Sequence, residues 1–305
     1  MRYGDFASLC ERSALPVCRL FGDVVLPSCH LDVYDAGSAV FVNLRKFLAK
    51  VVCATAATLF MHADFVVSII AFFFVGYLAF RAHRKIDAVG RREMTLLLSF
   101  FCIMLVFNIA GADFIHSSGQ INRWLGAVNT ALVVSFFWAL FLFGIVGFQV
   151  MADGSLKSML TIIGTTLIIF ISMGYIAADT AFGISNGLKP KPSNPLYSPG
   201  VFTIYLVVPL VAIVLFMILQ TTIVVRFLSA RLPLVWLVSS FFCFAVGQAI
   251  MFGASKKMCQ STNNRIDGAF FATLLDSAAV SCIYGFWSAI TVDDNAAFEE
   301  DEYKF

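Results

Sequence analysis

Seven stretches of this chain are continuously apolar over a length that can cross a bilayer: 63–82, 93–113, 125–149, 159–181, 201–225, 232–253 and 268–291. A hydrocarbon core about 30 Å thick takes roughly 20 helical residues. The runs do not alternate polar with apolar, so helices rather than barrel strands are predicted, each satisfying its own backbone polar groups. Composition agrees, because 60% of the residues are hydrophobic and only 13% charged, against about 25% charged in soluble domains. The expected fold is all-α: a polytopic membrane protein built as a seven-transmembrane-helix bundle.

Charge sets the expected orientation. The first connection carries Arg81, Arg84, Lys85, Arg91 and Arg92, the densest basic cluster in the chain. The positive-inside rule puts that loop in the cytosol, with the N-terminus lumenal or extracellular and the C-terminus cytosolic. Three regions follow: a lumenal segment over 1–62, the bundle over 63–291 and an acidic cytosolic tail over 292–305. The first 40 residues lack a basic start and a continuous apolar core, so no cleavable signal peptide is expected. At 39–60, Phe41, Leu44, Phe47, Leu48, Val51 and Val52 recur at helical spacing, interrupted by Arg45, Lys46 and Lys50. This predicts an amphipathic helix at the outer membrane surface. The rival reading is an eighth span, which would move the N-terminus to the cytosol. The loop Ile184–Gly200 holds four prolines and cannot be helix interior, and Pro209 is expected to kink the fifth span.

Polar side chains inside spans point to function or to packing. Asp276 is the carboxylate set deepest within a span. Asn108, Asn129 and Gln248 fall, with it, in the outer halves of their helices, and Asp113 and Asp179 at outer helix ends. They could form a polar pocket open to the lumen, a seam for a partner's helix, or hydrogen bonds among themselves that fix packing. Gly144, Gly147, Gly247 and Gly253 are expected at close helix contacts.

Signatures of catalysis are missing. His30, His62, His83 and His116 are scattered without metal-ligand spacing. There is no Gly-x-Ser-x-Gly, His-Glu-x-x-His or P-loop motif. Neither enzyme activity nor a cofactor is expected, and the net charge of +2 does not suggest nucleic-acid binding. A seven-helix receptor would carry an acid-Arg pair after the third span, where this chain has Gly147-Phe148-Gln149. A transporter would carry charges at mid-membrane, so a receptor-like or small-solute transport protein using the outer-leaflet polar pocket stands as the alternative reading.

Cys10, Cys18, Cys29 and Cys259 share the outer, oxidising side and are disulfide candidates, with three pairings possible. The tail Asp293-Asp294-Asn295-Ala296-Ala297-Phe298-Glu299-Glu300-Asp301-Glu302 is a solvated segment or a sorting signal for vesicle-coat machinery.

Short motifs in a fixed order run along nearly the whole chain. They are Gly4-Asp5-Phe6-Ala7-Ser8-Leu9-Cys10, Leu15-Pro16-Val17-Cys18 and Leu26-Pro27-Ser28-Cys29, then Gly90-Arg91-Arg92-Glu93. Gly147-Phe148 and Asp153-Gly154-Ser155-Leu156-Lys157-Ser158-Met159-Leu160 follow. Gly247-Gln248, Cys259, Asp267-Gly268 with Phe270-Phe271, and Trp287 with Asp293-Asp294 complete the set. In these the chain resembles the fungal chitin synthase export chaperones. It departs from them around 35–62, at Asp276, where an uncharged polar residue is expected, and in a short tail. The resemblance implies a non-enzymatic chaperone of the endoplasmic reticulum membrane. Such a protein assists folding and export of a chitin synthase to the cell surface, supports cell-wall chitin synthesis, and could accompany its client to the plasma membrane. Gln248, Asp276 and the loop Asp153, Lys157 and Ser158 are then the expected client contacts, with Asn108 and Asn129 as further polar-core candidates.

Overall fold

A computed structural model describes residues 3–13, 15–21, 63–85, 88–111, 119–147, 156–185, 196–228, 231–262, 266 and 268–291. The segment at 39–60, Cys29, Asp113, Asp153 and the acidic tail lie outside the described residues.

Among the described residues, seven helices are long and apolar enough to cross a membrane. After the short helix α1 (Ala7–Cys10) and a 3-10 turn (Pro16–Leu20), they are α2 (Ala63–Arg84), α3 (Arg91–Gly111), α4 (Gly119–Val146), α5 (Leu156–Phe182), α6, α7 (Arg231–Gly253) and α9 (Gly268–Ile290). A short helix α8 (Ser255–Ser261) lies between the last two. Among the described residues, β structure is confined to one antiparallel bridge, Asp5 with Tyr197.

The span α6 is composite. Pro199–Phe202 leads into a π-helical turn, Thr203–Val207, then Val208–Ile223, then a second π-helical turn, Val224–Leu228. The first π turn ends two residues before Pro209. There the N–H of Val208 bonds back to the carbonyl of Thr203. The wider turn takes up the missing proline N–H and its ring, so the disruption expected at Pro209 takes the form of a local change of helix type.

The bundle is organised around α4, in which no residue from Leu125 to Val146 is exposed. It packs against α3, α5, α6 and the N-terminal 3-10 turn, while α9 packs along α7 and against α2. Glycines set several of these distances. A Cβ at Gly144 would sit 3.0 Å from Phe216, one at Gly147 3.0 Å from Ile223, one at Gly247 3.2 Å from Leu275, and one at Gly285 2.9 Å from Trp236. Gly253 does not behave as expected. It faces open space, with nothing within 4 Å of a Cβ built there, because it is the last residue of α7 and has left the helix contact.

Two apolar cores result. One joins Val75, Met94, Leu97, Leu98, Phe136, Leu237, Phe286 and Trp287 across α2, α3, α4, α7 and α9. The other brings Phe6, Leu15, Val17, Cys18 and Leu20 of the N-terminal segment against Ala127, Ala177, Val201, Met251 and Ala272. The exterior is apolar instead of polar: Phe73, Leu160, Ile168, Leu210 and Phe242 are all more than 60% exposed. That is the surface a helix bundle presents to lipid. Outward hydroxyls are turned onto their own helices, Ser99, Thr161, Thr165, Ser172 and Thr222 each donating to the carbonyl four residues earlier.

Candidate functional site

The polar residues singled out inside the spans pair with one another. Asn129 Nδ2 donates to Asn108 Oδ1 at 2.9 Å and ties α4 to α3. Gln248 Nε2 lies 3.3 Å from both carboxylate oxygens of Asp276 and ties α7 to α9. Gly247 makes that second pairing possible, since a Cβ there would lie 3.5 Å from Asp276 Oδ1 and 3.2 Å from Leu275. Thr273 Oγ1 donates to Asp64 at 3.0 Å across α9 and α2, and Ser240 Oγ donates to the carbonyl of Ala279 at 2.9 Å across α7 and α9. Asp179, fully buried, accepts from the N–H and hydroxyl of Ser185 and closes the end of α5. Asn108 with Asn129, and Gln248 with Asp276, thus hydrogen-bond across helices, which leaves their use as a seam for a partner's helix open.

One end of the bundle is capped by the N-terminal segment. Phe6 N–H donates to the carbonyl of Leu196 at 3.1 Å, and Ser198 N–H donates to that of Gly4 at 3.0 Å. Gly4 sits at φ 85 with the place of a Cβ 3.0 Å from Pro199 Cα, so a side chain there would be both strained and crowded. The Phe6 ring, completely buried, packs between Phe21 and Phe202, and the Tyr3 hydroxyl meets Thr203. Cys10 is disulfide-bonded to Cys18 with Cα atoms 5.6 Å apart. Cys259 lies on α8. Beside it on that helix, Lys256 Nζ contacts Glu11 Oε1 at 2.9 Å, and this hydrogen bond and charge hold the Glu11 carboxyl below its ordinary value. On α4, the place of a Cβ at Gly126 is 3.0 Å from Arg19 and 3.1 Å from the Pro16 carbonyl, so a glycine there lets the 3-10 turn rest directly on the helix.

The opposite end holds a second set of joints. Trp287 Nε1 donates to the carbonyl of Val89 at 2.9 Å, and Lys85 Nζ donates to Ser288 Oγ at 2.9 Å while lying 5.7 Å from the Trp287 ring centre. The end of α9 thereby holds the α2–α3 turn, which Gly90 makes with φ 71. Ser158 Oγ donates to Glu93 Oε1 at 3.3 Å, with both residues buried. Lys157, next to Ser158, is exposed. Glu93, Asp64, Thr273 and Ser240 had not been singled out as site residues. Glu93 was legible only as the last letter of the Gly90-Arg91-Arg92-Glu93 motif.

Among the described residues, no group of three or more His, Cys, Asp or Glu side chains could hold a metal ion. The paired polar groups join helices to one another.

The family whose model matches is described as chitin synthase export chaperone, over residues 2–298. Among curated relatives, a chitin synthase export chaperone of Kluyveromyces lactis is 24% identical, over 99% of this chain and 97% of its own. That of Coccidioides immitis is 28% identical over 96% of this chain and 84% of its own. That of Cryptococcus neoformans is 27% identical over 96% and 76%. No solved structure matches.

Proposed function

The chain belongs to the chitin synthase export chaperone family, and from that premise we propose that it is a non-catalytic membrane chaperone that helps a chitin synthase fold in the endoplasmic reticulum and leave for the cell surface. Cell-wall chitin synthesis depends on that delivery. The observation that carries the reading is the family match along residues 2–298, which spans both the N-terminal cap and all seven apolar helices.

Physical chemistry supplies a mechanism. A multispanning synthase must build polar helices that are unstable in lipid until they find partners. A bundle whose Asn108, Asn129, Gln248 and Asp276 are hydrogen-bonded to one another, and whose surface is apolar, can lie beside such helices with little competition from those groups for their hydrogen bonds. The client contact in this proposal lies along the α7–α9 seam held by Gln248 and Asp276, and in the segment of Asp153 and the exposed Lys157, whose neighbour Ser158 is turned inward onto Glu93. The N-terminal cap faces the lumen and the basic α2–α3 turn faces the cytosol, so that the acidic tail can be read by vesicle-coat machinery.

Deleting the gene and imaging a fluorescently tagged synthase tests the proposal. Retention of the synthase in the endoplasmic reticulum, with reduced wall chitin, is expected. Normal delivery of every synthase isoform would remove the proposal.

A further inference from the structure

One face of α2 is a continuous aromatic stripe that ends in two arginines, for which no ion pair is seen among the described residues. Ile70, Phe73, Phe74, Tyr77 and Phe80 are exposed by 62%, 70%, 50%, 56% and 57%. Their spacing puts them on one side of the helix, over about 15 Å of its length. Arg81 and Arg84 continue that side one turn apart, both exposed. The Arg81 guanidinium lies 6.0 Å from the Tyr77 ring centre, and that of Arg84 5.5 Å from the Phe80 ring centre. Both cations therefore bend back over the apolar stripe. Neither meets a carboxylate among the described residues. Their neighbours are otherwise engaged: Lys85 donates to Ser288, and Arg91 donates to the carbonyl of His83 at 3.4 Å. The nearby carboxylate of Glu93 accepts from Ser158.

We propose that this face binds an anionic phospholipid, with its phosphate between Arg81 and Arg84 and its acyl chains along Phe73, Tyr77 and Phe80. Guanidinium groups present planar donor forks suited to phosphate oxygens. Two of them three residues apart on a helix are separated by about 5–6 Å, close enough to share one phosphate. The apolar stripe selects among anions. A free phosphate ion or an acidic peptide would use the two charges and leave the rings unused, whereas a lipid uses both. The site stands independently of the chaperone reading, since it needs only that α2 cross a bilayer.

The test uses the full chain, purified in mild detergent, stripped of lipid and titrated with phosphatidylserine, phosphatidylcholine or inorganic phosphate, with bound ligand counted by native mass spectrometry. Phosphatidylserine is expected to bind about tenfold to thirtyfold more tightly than phosphatidylcholine, from about 1 kcal/mol per basic residue. The preference should vanish in the double variant Arg81→Gln/Arg84→Gln and persist in Arg91→Gln. Tyr77→Ala/Phe80→Ala keeps both charges and should weaken phosphatidylserine binding. Equal binding of the two lipids would overturn the proposal. So would displacement of the lipid by inorganic phosphate at comparable concentration, or undiminished binding by the ring variant. A preference that emerges only after Glu299, Glu300, Asp301 and Glu302 are changed to amides would assign the charges to the chain's own tail, and would likewise overturn it.

Discussion

Gln248 and Asp276 face each other across the α7–α9 contact, with the amide nitrogen 3.3 Å from each carboxylate oxygen. Replacing Asp276 by Leu leaves the amide without its partner in a lipid-enclosed seam. A loss of about 1–2 kcal/mol is expected, read as an earlier thermal transition in detergent. Asp276→Asn keeps an acceptor and should lie close to the parent. If the seam also touches the client, Asp276→Leu lowers co-purification of the synthase. Unchanged recovery and unchanged wall chitin would take Asp276 out of the mechanism.

The Glu93–Ser158 contact predicts a larger effect from a smaller change. Ser158 is fully buried and its hydroxyl donates to a carboxylate. A hydrogen bond to a charged group contributes about 1.5–3 kcal/mol. Ser158→Ala is expected to destabilise by that order, and a thermal midpoint equal to the parent's would refute it. Lys157→Ala, one residue away but exposed, should leave the midpoint in place and serves as the control.

At the same end, Trp287→Phe keeps an aromatic ring and deletes the donor to the Val89 carbonyl. Its cost should be about 0.5–1.5 kcal/mol, against about 3–5 kcal/mol for Trp287→Ala, which also leaves a cavity. Hydrogen exchange of the α2–α3 turn reports the difference directly, because that turn should open in both variants.

The Cys10–Cys18 link closes a short loop over a buried face. Constraint of such a loop is worth about 2–3 kcal/mol. Cys10→Ser/Cys18→Ser, or a reductant, should expose residues 3–21 to a protease while leaving the spans intact. Identical digestion patterns with and without reductant would count against a cap stabilised in this way.

Glu11 gives a dependence on pH. The Lys256 ammonium lowers its carboxyl below the ordinary 4.5, so the docked form favours the charged state. The contribution is fully present above 4.5 and is lost as pH falls through the lowered value, when Glu11 takes up its proton. Protection of residues 3–21 should fall slightly in that acidic window and more so at low salt, since the pair is exposed. Lys256→Met should remove the difference between wild-type protection at neutral and acidic pH; an unaltered pH profile in that variant would exclude the pair as its cause.

Run length alone made the seven helices legible, because backbone groups in lipid leave few alternatives. The composite α6 was not legible, since nothing in Thr203–Val207 distinguishes a π turn from an α turn until Pro209 has to be accommodated. The polar candidates were found as residues but not as pairs. Asn108 with Asn129, and Gln248 with Asp276, are separated by 21 and 28 residues, and spacing along the chain does not say which helices touch. Gly253 shows the limit of reading glycines from sequence, because the residue type at Gly253 and Gly247 is the same and only Gly247 meets a neighbour. Nothing beside Glu93 in the sequence marks it as buried against Ser158, 65 residues away.

The cap joins the start of the chain to its later parts. Tyr3 meets Thr203 across 200 residues, and Glu11 meets Lys256 across 245. At about 5–20 residues per second on the ribosome, residues 3–21 wait roughly 10 to 50 seconds for those partners to emerge. This early-made segment is thus among the last to settle, and its docking follows the insertion of α6 and α7.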